Sequence, residues 1–230
     1  MAPSLAGNII RTQDVVQTFA DEFIKSVNNM EPQGNETLLI ALSGGPTAKH
    51  CYEELAKRDA QQQIVNWSKI EVLIGDERQV DTSNKDSNQN MVLSTLKNQF
   101  RQIKAFWPLS TNSEAQAVEE MLKERGNIDL IHLGLGKDGH TASLFPNSAG
   151  LNAPGLVTEN VDPTENNQYK RFSLTFKAIN KSKVKLVTVS GNEKTHAFSL
   201  LLAGVELPAS KVNGSGLFWI IDPEALGENS

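Results

Sequence analysis

Short runs of consecutive apolar residues punctuate the chain, each bounded by glycine, polar or charged residues. They lie at 37–42 (TLLIAL), 69–75 (KIEVLIG), 129–135 (DLIHLGL), 184–191 (VKLVTVSG) and 217–222 (LFWIID). Runs this short and this rich in Val, Ile and Leu read as strands buried on both faces. Between them, apolar residues recur at intervals of three and four. Over 12–30 they fall at Val15, Val16, Phe19, Phe23, Ile24 and Val27, which predicts a helix with Thr12 as N-cap and Asp14 in its first turn. Pro46 suits the first position of a second helix over 46–58. Further helices are expected from the end of the polar stretch 79–88 to Phe100, over 113–125 and over 192–204. RFSLTF (171–176) alternates as a strand does, KAFWPL (104–109) reads as an edge strand, and 142–170, rich in Pro, Gly and Asn, yields no element.

Buried strands alternating with helices predict an α/β protein with a mostly parallel sheet and helices on both faces. No linker or repeat interrupts the pattern, so residues 1–230 are expected to form one domain. In such sheets ligands collect at the carboxyl ends of the strands. The segments there are SGGPT (43–47), DER (76–78), GKDGH (136–140) and GNEK (191–194).

Composition narrows the partners. Apolar residues make up 39% of the chain, enough for a substantial core, and the formal net charge is −5. That balance argues against nucleic acid as a partner. An anionic ligand would have to be held by a few local Arg, Lys and backbone N–H groups. The lone cysteine, Cys51, permits no intrachain disulfide, and neither cysteine nor histidine stands at metal-ligand spacing. The opening residues carry no charged region followed by an apolar stretch, so no signal peptide is expected. The longest apolar runs, 38–42 and 198–205, are too short to span a membrane. The expected location is the cytoplasm.

GLGKDGH (134–140) contains the spacing GxGxxG of a dinucleotide-binding loop, and Glu159 lies near the customary distance for a ribose-binding acid. Such a loop must open a long helix, whereas Pro146, Gly150, Pro154 and Gly155 follow here. No nicotinamide or flavin cofactor is therefore expected. The glycines serve equally to bring backbone close to a small ligand, with Asp138 and His140 projecting beside it and the histidine placed for proton transfer. The alternative is a surface turn with a solvated histidine. His132 lies within an apolar strand and is expected in the core, hydrogen-bonded; His50 and His196 fall on helices, at the surface or behind the residues of a site. SGGPT offers Gly44 and Gly45 backbone, the Ser43 and Thr47 hydroxyls and a helix N-terminus, the makings of an anion cradle, or else an ordinary strand-to-helix turn. It lacks the lysine of a P-loop. Arg171 opens a strand, and Lys194 is expected in a first helical turn, where a cation opposes the helix dipole and suits a waiting anion.

Taken together, SGGPT, GDERQV with DSNQNM downstream, and LGLGKDGHTASLFP resemble the 6-phosphogluconolactonase family in order and spacing. RFSLTF, VSGNEK and FWIID resemble its later strand motifs. The resemblance implies a Rossmann-like three-layer fold and hydrolysis of 6-phospho-D-glucono-1,5-lactone without metal or cofactor. It implies His140 as the base that activates water and Arg78 as a donor to the oxyanion. Either Asp76 or Asp138 would orient Arg78 or His140. Gly44, Gly45 and Thr47 would cradle the phosphate, with Arg171 and Lys194 supplying charge. The glucosamine-6-phosphate deaminases resemble the chain less. Their corresponding stretches read DEY and DGHIAFNEP, where this chain has Arg78 and Ser143-Leu144. A non-catalytic sugar-phosphate-binding domain is the remaining alternative. One departure from the lactonase pattern is SGGPTA in place of SGGSTP.

Overall fold

The computed structural model describes residues 5–30, 32, 36–62 and 64–228. In chain order the elements are β1 (Asn8–Arg11), α1 (Val15–Asn29), β2 (Leu38–Leu42), α2 (Pro46–Gln62), β3 (Ile70–Ile74) and β4 (Asp76–Arg78). There follow α3 (Asn88–Thr95), β5 (Ala105–Trp107), α4 (Asn112–Arg125), β6 (Leu130–Gly134) and β7 (Val157–Asn160). The chain continues through β8 (Arg171–Leu174), α5 (Phe176–Lys181), β9 (Val184–Val189), α6 (Thr195–Leu202), β10 (Leu217–Ile221) and α7 (Pro223–Leu226).

Seven strands form one sheet in the order β1-β10-β9-β6-β2-β3-β5, and every pairing in it is parallel. All five residues of β2 and the first four of β6 are buried, so both faces of the sheet centre are covered, as a parallel sheet requires. Phe19 and Phe23 of α1, Tyr52 and Leu55 of α2 and Phe198 of α6 pack fully buried into the same core as β2, β3 and β6. Among the described residues no helix is long and apolar enough to cross a membrane.

A second sheet of three antiparallel strands, β4-β8-β7, is added beside the first. The apolar pattern of the sequence does not predict this sheet. DER is a strand in its own right, pairing Asp76 with Ser173 and Arg78 with Arg171. The expected strand 171–176 ends at Leu174, because Thr175 turns the chain and Phe176 starts α5. Other expectations are corrected by the caps and by where the helices start and stop. Asp14, not Thr12, caps α1, since its Oδ1 accepts from the Gln17 N–H at 3.0 Å while the Thr12 hydroxyl accepts from the Asp14 N–H at 3.1 Å. The helix expected to Phe100 stops at Thr95 and is followed by a 3₁₀ turn, Gln99–Arg101. The helix expected over 192–204 is a 3₁₀ turn, Asn192–Lys194, followed by α6, so Lys194 precedes the helix rather than sitting in its first turn. Residues 1–4 of the opening segment lie outside the described residues.

Trp219, at the centre of β10, is fully buried against Phe198, and its Nε1 donates to the Ala6 carbonyl at 2.8 Å. Trp219→Ala is expected to cost about 3–5 kcal/mol, from lost apolar burial and the cavity left behind. The readout is a lower urea midpoint at unchanged slope. A loss below about 1 kcal/mol would mean that this packing is not as described.

Candidate active site

Because the seven strands run parallel, their carboxyl ends share one edge. The segments following β2, β3, β6 and β9 meet there and, with Arg171 from β8, line a cavity of about 510 Å³. Gly44, Gly45, Thr47, Asp76, Arg78, Asp138, His140, Arg171 and Lys194 all line it.

The segment after β2 turns through Gly45, whose φ of +97° lies in the left-handed region, and Pro46 begins α2. No acidic residue occupies the first turn of α2, so its free N–H groups and dipole are not neutralised from within the helix. The loop is held from below. The Ser43 N–H donates to the Tyr52 hydroxyl at 2.8 Å, and that hydroxyl also lies 2.8 Å from His132 Nδ1. His132 Nε2 is 3.0 Å from the Thr188 hydroxyl, and the ring lies 4.2 Å from that of Phe19. His132 is thus a hydrogen-bonded core residue, while His50 and His196 are exposed. Burial drives the His132 pKa down from 6.5 to about 3. The unfolded chain takes up a proton below pH 6.5 that the folded chain refuses until about pH 3, so folding loses stability as pH falls through that window. Wild type should lose about 1.4 kcal/mol more per pH unit there than His132→Gln, measured by denaturation at several pH values. Parallel slopes for the two proteins would contradict it.

Of the two aspartates, Asp138 is the one in contact with His140. Asp138 Oδ1 lies 2.5 Å from His140 Nδ1 and accepts from the His140 N–H at 3.2 Å. Burial pushes the Asp138 carboxyl up, but the hydrogen bond and charge of His140 outweigh it, leaving the carboxyl below its ordinary value. A carboxylate only accepts, so it fixes the Nδ1–H tautomer and leaves Nε2 with its lone pair. Among the described residues Nε2 has no hydrogen-bond partner. The ring packs edge-on against Phe145 at 4.9 Å. The glycines of the loop have a packing reason. A Cβ at Gly136 would lie 2.2 Å from His140 Nδ1, and Gly139 has a φ of +82°. No helix opens at this loop, as the nucleotide-binding reading would need; Ala142 is left-handed, and a short 3₁₀ turn comes only at Ala149–Asn152.

Asp76 sits elsewhere. Its Oδ2 accepts from the Ser143 hydroxyl at 2.6 Å and lies 4.0 Å from Arg171 Nη1. The Arg171 side chain is only 7% exposed, stacks over Phe145 and donates to Asn167 Oδ1 at 3.3 Å and Ser143 Oγ at 3.5 Å. Burial lowers the Arg171 pKa; Asp76 offsets part of this and Arg78 adds to it. Arg78 is its cross-strand partner, and Arg78 Nη1 donates to the Asp86 carbonyl at 2.8 Å and to Asn88 Oδ1. The Nε atoms of both arginines are buried without a partner among the described residues. Asp76, Glu77 and Asp162 each offset part of the burial shift at Arg171, yet the two unpartnered Nε donors leave hydrogen-bonding capacity that an anion would satisfy. Lys194 completes the rim, its Nζ 3.1 Å from Glu193 Oε1.

Asn88, Asn166, Asn167 and Ser190 also line the cavity and were not singled out in the sequence. DSNQNM did contain Asn88, but an asparagine before a helix reads as a turn residue. Asn166 and Asn167 lie in the stretch that yielded no element. The described residues hold no cluster of three or more His, Cys, Asp or Glu able to bind a metal ion.

Residues 11–219 match the family model described as glucosamine-6-phosphate isomerases/6-phosphogluconolactonase. The chain is 36% identical over 209 residues to the 6-phosphogluconolactonase of Synechocystis sp., covering 83% of each chain. A crystal structure of the 6-phosphogluconolactonase of Thermotoga maritima superposes with a TM-score of 0.80 at 26% identity, over 94% of this chain and 99% of that one. A monomeric glucosamine-6-phosphate deaminase superposes equally well, TM-score 0.80, but at 20% identity, which shows a shared fold alone.

Proposed function

The chain belongs to the glucosamine-6-phosphate isomerase/6-phosphogluconolactonase family, and from that premise we propose how the cavity works. The reaction is hydrolysis of 6-phospho-D-glucono-1,5-lactone to 6-phospho-D-gluconate, a step of the oxidative pentose phosphate pathway. His140 Nε2 takes a proton from water as its oxygen attacks the lactone carbonyl carbon. Asp138 keeps the ring in the required tautomer and stabilises the imidazolium that forms. The carbonyl oxygen becomes an oxyanion, and Arg78 donates to it. Collapse of the intermediate breaks the bond from the carbonyl carbon to the ring oxygen, which leaves with the proton returned by His140. The 6-phosphate lies in the cradle of Gly44, Gly45 and Thr47, with Arg171 and Lys194 supplying charge and Asp76 steadying Arg171.

The observation that carries this reading is the convergence of the Asp138–His140 pair and the two guanidiniums on one cavity. The register of Arg78 against Arg171 also favours a second assignment, in which Arg78 shares the phosphate. An effect of Arg78→Ala on kcat supports the oxyanion role, and one confined to KM supports the phosphate role. The free, buried thiol of Cys51 suits a reducing compartment, and we place the protein in the cytoplasm as one domain spanning residues 1–230. The test of the activity is a pair of assays on purified protein. Lactone hydrolysis above the spontaneous rate is expected, with no ammonia released from glucosamine 6-phosphate. Ammonia release without lactone hydrolysis would overturn the reading, as would ligand binding with no turnover.

A further inference from the structure

We propose that Asn88 is a positioning residue that sets the Arg78 guanidinium against the phosphate cradle, and that Glu77 anchors it there. The inference rests on the reading that Arg78 touches substrate. Along β4 side chains alternate, so Asp76 and Arg78 share one face and Glu77 faces the other way. Glu77 is fully buried. Its Oε1 accepts from the N–H groups of Arg78 at 2.7 Å and Asn88 at 2.8 Å. Its Oε2 accepts from the Gln89 N–H at 2.6 Å and the Ser87 hydroxyl at 2.9 Å. Three of these donors lie at the start of α3 and the fourth on β4, so the carboxylate ties that helix end to the strand.

Asn88 is thereby held at 3% exposure beside the cavity, with three contacts on three parts of the site. Its Oδ1 accepts from Arg78 Nη1, and its Nδ2 donates to the Asp76 carbonyl at 2.7 Å. A guanidinium only donates and a carbonyl only accepts, so the amide has one possible orientation. The third contact is with the cradle. A Cβ on Gly44 would lie 1.8 Å from Asn88 Oδ1, so the amide rests directly on the backbone of that loop. Helix capping does not account for these contacts. Ser87 is the N-cap of α3, accepting from the Asn90 N–H at 3.0 Å, and the Asn88 side chain takes no part in it. Asparagine offers the acceptor to Arg78 and the donor to the Asp76 carbonyl through two separate atoms of one short side chain. Aspartate keeps the first and loses the second.

The test is a double-mutant cycle on lactone hydrolysis with Asn88→Ala, Arg78→Ala and the pair, kcat and KM being measured for each. Asn88→Ala should lower by about tenfold whichever parameter of catalysis or affinity Arg78→Ala lowers, the scale of one hydrogen bond to a charged group. In the Arg78→Ala background the same change should have less than about a twofold effect. Should Asn88→Ala not fold, as judged by thermal unfolding, Asn88→Leu, close in shape and without donor or acceptor, takes its place in the cycle. Additive effects, with Arg78→Ala itself impaired, would overturn the positioning role and leave the Arg78 reading standing. An Arg78→Ala protein with wild-type kcat and KM would overturn both.

Discussion

His140→Ala is expected to lower kcat for lactone hydrolysis by about 10²–10⁴-fold, the usual contribution of a positioned general base. KM should change little, because no phosphate contact is assigned to the ring. The basis is geometric. Asp138 holds Nδ1 at 2.5 Å, which leaves Nε2 as the only basic atom of the ring available to water. The lactone opens without an enzyme, so the spontaneous rate must be subtracted at each substrate concentration. His140 is partly exposed and contributes one edge contact with Phe145, so the variant should unfold at nearly the wild-type temperature. Wild-type turnover in a folded His140→Ala protein would remove the proposed mechanism.

Arg171→Ala should have its effect on the other parameter. Its guanidinium is the most deeply buried of the proposed phosphate ligands, held over Phe145 and between Ser143 and Asn167. Loss of one or two charge-assisted hydrogen bonds predicts a rise in KM of about tenfold to a hundredfold, with the inhibition constant of inorganic phosphate rising in parallel. Turnover at saturation should fall much less. Arg171→Lys should recover only part of the affinity, since an ammonium cannot reproduce the planar fork or its stacking on Phe145. A loss confined to kcat, with phosphate inhibition unchanged, would move Arg171 from the phosphate to the reacting centre.

The central strands were legible because burial on both faces leaves a continuous apolar run. TLLIAL and DLIHLGL mark β2 and β6 to within a residue at each end. β1 was invisible for the converse reason: at the sheet edge its four residues, NIIR, are largely exposed and carry no run. The small antiparallel sheet was equally hidden. DER is too short and too charged to read as a strand, and its partner β8 is remote in sequence. The site divides in the same way. Motif order pointed to His140, Arg78 and the cradle, all of which line the cavity. It could not assign the two aspartates, because Asp76 and Asp138 both stand at strand ends; only distance pairs Asp138 with His140 and Asp76 with Ser143. Asn88 and Glu77 escaped because their partners are set by tertiary closure. Nothing local in DSNQNM says that its first asparagine rests on Gly44.

The most direct test of the central claim is a crystal structure with 6-phosphogluconate bound. The account predicts the phosphate on the Gly44–Gly45–Thr47 loop within hydrogen-bond reach of Arg171 and Lys194. It also predicts a C1 carboxylate oxygen, the one derived from water, within about 3.5 Å of His140 Nε2. A product bound with its carboxylate on the cradle and its phosphate at His140, or bound outside this cavity, would contradict it.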